Sequence, residues 1–194
     1  MNDVMFSFFF SYLIGSIPFS VIAAKYFLKQ DIRKVGSGNI GVSNAYRAGG
    51  FLFSFAVALV DISKSIIVLK FIWPAYLPVT LGVFAVCIGQ MFPIMLNFKG
   101  GKGIACYIGA LIALNPIVGS IIGIGWLAIT KITNMPFVSS MAVLAASLFF
   151  VTLDGYILLT MLMIIVRHKS NIMEFLSTRF GISVEKKRSK NKKC

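Results

Sequence analysis

The chain has 194 residues, of which 58% are hydrophobic and only 13% charged, against roughly 45–50% and roughly 25% in soluble domains. With a mean hydropathy of +0.88, disorder, collagen and coiled coil are excluded, and an all-α polytopic membrane protein is the class that fits. The excess of 19 Lys and Arg over 6 Asp and Glu points to an anionic leaflet, anionic substrates or both, and argues against nucleic acid as a partner.

Apolar windows and their breaks predict spans at 4–24, 51–72, 76–96, 104–114, 116–130, 137–152 and 155–167. Met1-Asn2-Asp3 lacks a basic n-region and the run that follows is long, so the first span is read as retained and not as a cleaved signal. The fourth and fifth windows are short and meet at Asn115-Pro116, where one Pro-kinked helix is the alternative.

Charge decides between six spans and seven. With seven, Lys25, Lys29, Arg33, Lys34, Arg47, Lys99, Lys102, Lys131, Arg167, Lys169 and the basic tail share one side, while the loops around Asp3, Trp73 to Pro78, Asn115 and Asp154 face the other. Six spans would put Lys131 and the tail on the wrong side. The prediction is seven transmembrane helices, N-terminus outside and C-terminus cytoplasmic. Residues 1–182 form a single transmembrane domain, and 183–194, SVEKKRSKNKKC, a solvated basic tail beside anionic lipid. Cys87, Cys106 and Cys194 have no metal or redox spacing and read as packing residues.

Three segments on the predicted cytoplasmic side carry groups that lipid packing does not ask for. The first runs from Val35 to Arg47 and offers Ser37, Asn39, Gly41, Ser43, Asn44 and Arg47. Its glycines let main-chain amides approach a ligand, and its Ser, Asn and Arg side chains donate. The GxGxxG spacing of Gly36, Gly38 and Gly41 is not a dinucleotide fingerprint, because no strand precedes it.

The second segment holds Lys99, Gly100, Gly101, Lys102 and Gly103 ahead of a helix. Amides, helix dipole and ammonium groups converge there on a place for phosphate. It is not a Walker A loop, since no Ser or Thr follows Lys102. The third is Arg167-His168-Lys169-Ser170-Asn171, in which His168 and Asn171 fall on one helical face at i and i+3. His titrates near neutrality and Asn can donate to an anion. Asp61 and Lys64 form a candidate pair inside the second span. The residues predict no metal site and no cofactor.

Taken in order, SGNIGVSNAYR, FKGGKGIA and RHKSNI resemble the motifs of the bacterial acyl-phosphate:glycerol-3-phosphate acyltransferases, the PlsY family. The resemblance covers nearly the whole chain, from Gly15-Ser16-Ile17-Pro18 to Ile172. Departures from the commonest pattern are Val42 for Ala, Ser43 for Thr, Gln90 for His, and Met173-Glu174 where a basic residue is frequent.

The resemblance implies transfer of a fatty acyl group from acyl phosphate to the sn-1 hydroxyl of glycerol-3-phosphate, giving lysophosphatidic acid and phosphate at the bacterial inner membrane. It implies neither acyl-CoA nor acyl carrier protein as donor, and the acyl-phosphate-forming enzyme as a neighbour; because acyl phosphate, a mixed anhydride, is already activated, direct attack without an acyl-enzyme is expected. By the same analogy Ser37, Arg47 and Lys102 hold the glycerol-3-phosphate phosphate, and Asn39, Gly41, Ser43 and Asn44 surround the acyl phosphate with His168 and Asn171. Either His168 or a phosphate oxygen of the donor acts as base. A small transporter or flippase for a phosphate-bearing solute or lipid is the alternative; it should line a path through the bilayer, whereas here the polar groups gather at one face.

Overall fold

The computed structural model describes residues 2–180, and every regular element in that range is helical. The basic tail expected at 183–194 and the boundary at 182 lie outside the described residues. Among the described residues there are seven apolar helical segments. Asn2–Phe27, Val42–Ile72, Val79–Leu96 and Pro116–Thr133 are long and apolar enough to cross a membrane, and Ile104–Leu114, Pro136–Ser147 and Gly155–Arg167 are shorter.

The first segment, expected as one helix over 4–24, is broken into α1 (Asn2–Ser16) and α2 (Phe19–Phe27). Pro18 has no amide proton to give, and its ring disfavours helical geometry at Ile17, so the ladder stops there. The second begins well before the expected 51. Helix α3 runs Val42–Ile67 with a kink at Gly50 (φ 73°) and continues as a π-turn over Val68–Ile72. The residues from Ser43 to Arg47 therefore ride on the first turns of α3.

Helix α4 (Val79–Met91) leads into a short 3-10 turn at Ile94–Leu96 and then to α5 (Ile104–Leu114). The chain reverses at Asn115, whose side chain accepts from the Val118 amide at 3.1 Å and caps α6 (Pro116–Thr133). Gly119 lies so close to the Ile112 backbone that a Cβ there would overlap it. Helices α5 and α6 are thus two antiparallel elements and not one kinked helix. Helix α7 (Pro136–Ser147) stops short of the expected 152 in a turn over Leu148–Phe150, and α8 (Gly155–Arg167) and α9 (Lys169–Phe180) close the described chain.

Helix α5 is the centre of the bundle, packed chiefly between α3 and α6, and its Cys106, Tyr107, Ile108, Ala110 and Leu111 share one buried cluster with Val83, Val86 and Met91 of α4 and Ile157 and Ile164 of α8. Helices α1 and α4 cross backbone to backbone at Gly15 and Gly89, where added Cβ atoms would overlap the Val86 and Tyr12 carbonyls. Small residues serve this purpose in membranes, where close packing replaces the hydrophobic drive between helices. Ile117, Ile121, Ile124 and Leu127 of α6 are exposed and suit lipid contact.

The two ends of the bundle differ in chemistry. At one end Tyr76 donates to Asp3 at 3.0 Å, and Asp154 caps α8 while accepting from the Thr80 hydroxyl. Lys70, exposed in the π-turn near that end, is an exception to the expected one-sided distribution of cations. At the other end lie the three motif segments.

Candidate active site

The first segment is shaped by Asn44. This side chain is 1% exposed; its oxygen accepts from the Ser37 amide at 3.0 Å and hydroxyl at 3.3 Å, and its nitrogen donates to the Ile32 and Val35 carbonyls, both at 3.0 Å. All four of its hydrogen-bonding positions are used. Asn44, expected from the resemblance beside a substrate phosphate, here folds the loop that presents Ser37.

Gly36 and Gly38 take positive φ to make the bend, the Asn39 side chain accepts from Gly41 at 3.1 Å, and Ser20 of α2 donates to Ile40 at 2.6 Å. Ser37 and Arg47 stand exposed, and Ser43 is half-buried in the first turn of α3. Gly41 caps that helix without a side-chain acceptor, so the dipole end adds to the positive field.

The second segment is built by close contact. The Gly101 amide donates to the Gln90 carbonyl at 3.0 Å, and any Cβ on Gly100 would overlap Pro93 and that same carbonyl. Gly103, at φ 85°, turns the chain into α5. Lys102 is thereby carried between the helices, half-buried, with its ammonium donating to the Asn171 side-chain oxygen. Burial, and then the neighbouring Arg167 and Arg47 charges, push its pKa down from 10.5 to about 8. Lys99 is exposed.

The third segment clasps the second. Arg167 donates from Nε to Gly101 at 3.0 Å and from Nη2 to Gly100 at 2.5 Å, and its guanidinium lies over the Phe92 ring at 5.3 Å. His168 and Asn171 do not share a helix: His168 ends α8, and Asn171 stands in the first turn of α9 with its amide on the His168 carbonyl at 2.9 Å. The imidazole is 2% exposed, with Nδ1 at 2.8 Å from the Ile164 carbonyl. A carbonyl only accepts, so Nδ1 carries the proton and Nε2 the lone pair. Burial is the main cause that lowers the His168 pKa from 6.5 to about 4, and the Lys102 and Arg167 charges add to it.

Lys102, Arg47 and Arg167 therefore form a cationic group. Among the described residues the ion pairs are Asp31–Arg33 at 2.6 Å and Asp61–Lys64 at 2.7 Å, and neither neutralises this group. Beside it an open cleft of about 650 Å³ is lined by Phe92, Val166, Arg167, Lys169, Ser170 and Met173. Cations bordering an apolar cleft suit a ligand with a phosphate head and a hydrocarbon tail. Among the described residues no three His, Cys, Asp or Glu side chains cluster to hold a metal.

Sequence reasoning did not foresee the clasp made by Arg167, nor the use made of Gln90. Arg167 belongs to the third segment, but only the fold shows that it grips the glycine loop. Gln90 is a polar residue within an apolar helix, which is itself a signal of a buried partner.

A family model described as glycerol-3-phosphate acyltransferase matches residues 5–178. A Pelagibacter ubique protein named glycerol-3-phosphate acyltransferase is 36% identical over 170 residues, covering 84% of this chain and 88% of that one. One of the same name from Macrococcus caseolyticus is 35% identical over 181 residues, covering 86% and 90%. Among solved structures, the chain is similar to PlsY, an integral membrane glycerol 3-phosphate acyltransferase. The glycerol 3-phosphate form matches with a TM-score of 0.78 at 31% identity, and the lysophosphatidic acid form with 0.77 at 30%; each covers 91% of this chain and 93% of that one.

Proposed function

This chain belongs to the glycerol-3-phosphate acyltransferase family, and on that premise we propose that its donor is acyl phosphate. It is a membrane acyltransferase that uses glycerol-3-phosphate; the finer reading is attack of the sn-1 hydroxyl on the acyl carbonyl, giving lysophosphatidic acid and inorganic phosphate. The observation that carries this reading is the cationic group of Lys102, Arg47 and Arg167, which no carboxylate among the described residues pairs with, beside an apolar cleft. Both proposed substrates bring phosphate to that group, and one brings an acyl chain.

Ser37, Arg47 and Lys102 hold the phosphate of glycerol-3-phosphate, with Arg47 suited to bidentate contact. Asn39, Gly41, Ser43 and Asn171 surround the acyl phosphate, the Lys99 to Gly103 loop serves the glycerol-3-phosphate phosphate by carrying Lys102, and Asn44 contributes by holding the first loop in shape. Acyl phosphate is a mixed anhydride, already activated, so positioning and charge stabilisation suffice without a covalent acyl-enzyme.

Neutral His168 accepts the hydroxyl proton at Nε2 as the new ester bond forms. The C–O bond to phosphate then breaks, and the departing phosphate takes that proton, returning the imidazole to its starting state. Arrival of the anionic donor raises the histidine pKa from its low value in the empty site, because a nearby negative charge favours imidazolium. The site faces the cytoplasm at the inner membrane, a reading supported by the gathering of cations at that end.

The reconstituted protein, given labelled glycerol-3-phosphate with palmitoyl phosphate, acyl-CoA or acyl carrier protein in separate reactions, tests the donor. Lysophosphatidic acid from palmitoyl phosphate alone is expected. Product from acyl-CoA alone would keep the acyltransferase and overturn the donor.

A further inference from the structure

Buried in the bundle behind the glycine loop, a charged network joins three membrane segments. Lys64 of α3 donates from its ammonium to the Ile17 carbonyl at 2.6 Å, to Asp61 Oδ1 at 2.7 Å and to Gln90 Oε1 at 2.9 Å. All three of its protons are used. Gln90 of α4 in turn donates from Nε2 to Asp61 Oδ2 at 2.9 Å. Asp61, Lys64 and Gln90 are 2%, 4% and 5% exposed. Ions in such surroundings are tolerated only when paired and fully hydrogen-bonded, and removing one member strands the others.

Gln90 belongs to two structures at once. Its side chain completes the buried network, while its main-chain carbonyl receives the Gly101 amide at 3.0 Å and lies against Gly100. One residue further along is Lys102. The network also receives the Ile17 carbonyl at the break between α1 and α2, so α4 is pinned to two neighbouring segments at the level from which the glycine loop hangs.

We propose that Gln90 is a positioning residue: the Asp61–Lys64 pair fixes its side chain, and its carbonyl then sets where Lys102 stands to receive the phosphate of glycerol-3-phosphate. This rests on the reading of Lys102 given above. A hydrogen bond to a charged group is sharply dependent on distance and direction, so a shift of the loop by about an ångström weakens phosphate binding without removing any group that touches substrate.

The test is steady-state kinetics of Gln90→Leu in reconstituted protein, with KM measured separately for glycerol-3-phosphate and for the acyl donor, and the folded fraction measured in parallel. The expected result is a rise of about tenfold or more in the glycerol-3-phosphate KM, with kcat per folded molecule and the donor KM within about threefold of wild type. A purely structural role lowers the folded fraction and leaves both KM values unmoved; that outcome overturns the proposal.

If Gln90→Leu does not fold, Gln90→Glu, which keeps the side-chain length, is read by the same criterion. A triple variant, Asp61→Leu with Lys64→Met and Gln90→Leu, removes the network without stranding a charge. A wild-type glycerol-3-phosphate KM in that variant also overturns the proposal. Lys102→Ala, run alongside, separates the two levels: if it leaves the glycerol-3-phosphate KM unchanged, the parent reading of Lys102 fails, whereas a raised KM there with unaffected Gln90 variants rejects the positioning role alone.

Discussion

Arg167 reaches across from the end of α8 and grips Gly101, its Nε donating to the glycine carbonyl at 3.0 Å while Nη2 takes the neighbouring Gly100 carbonyl at 2.5 Å. A two-pronged contact of this kind belongs to the planar guanidinium and not to an ammonium. Arg167→Lys should therefore lower kcat/KM by about tenfold or more, since each lost hydrogen bond from a charged donor amounts to about 1.5–3 kcal/mol. Kinetics near wild type in the lysine variant would show that the clasp does not govern the loop.

Lys102 sets a limit at alkaline pH. Its ammonium loses its proton near pH 8 in the empty site instead of near 10.5, so the charged form needed for phosphate declines above that value. The glycerol-3-phosphate KM is expected to rise above pH 8 by up to about tenfold per unit. Lys102→Arg keeps its charge throughout and should flatten the limb, a comparison that a pH series of initial rates makes directly.

His168 is buried in its neutral form, with a folded pKa of about 4 against 6.5 when unfolded. A basic group whose folded pKa is depressed contributes stability above the unfolded pKa, and that contribution is lost as pH falls through the folded one. Thermal unfolding should thus show falling stability between pH 6.5 and 4, by about 3 kcal/mol at 1.36 kcal/mol per pKa unit, and the slope should shrink in His168→Gln. In turnover, His168→Ala is expected to lower kcat by about 10²–10⁴-fold with little change in the glycerol-3-phosphate KM. A loss of only a few-fold would mean that the donor's own phosphate takes the hydroxyl proton.

Asn44→Ala should destabilise the protein while leaving no gap in the list of groups that touch substrate. The change strands the Ile32 and Val35 carbonyls and frees Ser37, at a cost of about 2 kcal/mol or more. Asn44→Asp should be no better, because a carboxylate replaces a donor that faces two carbonyls. Unfolding in detergent measures the first effect, and a raised glycerol-3-phosphate KM at low temperature the second.

Gly100→Ala should all but abolish activity. The added methyl has nowhere to go between Pro93 and the carbonyls of Gln90 and Met91, so the loop must swing out and carry Lys102 with it. A loss of about 10²-fold is expected, with the acyl-donor KM as the control.

The legible parts of the molecule are those written in local pattern. Apolar windows mark the seven helical segments, and the reversal at Asn115 separates α5 from α6 where one kinked helix is the alternative reading of the sequence. The glycine loops and their cations were visible because they interrupt hydrophobic stretches. What escaped was long-range: the break at Pro18 is tied by Lys64, 47 residues away, and Gln90 finds Asp61 29 residues away. His168 and Asn171 were placed on one helix by spacing, yet a helix end falls between them, and no periodic signal marks that junction. Asn44 looked like a ligand by its type and neighbours, and only the loop's closure shows where its hydrogen bonds go.

Helix α5 has 11 residues, which at about 1.5 Å per residue is close to half of a hydrocarbon layer of about 30 Å. Its two ends, the glycine loop and the turn at Asn115, are therefore too close together to reach both faces of such a layer, and one of them is drawn below the headgroups. On the proposed function that end is the glycine loop, and depth becomes part of the recognition: a water-soluble phosphate would descend to Lys102, while a donor anchored by its acyl chain would arrive sideways through the leaflet.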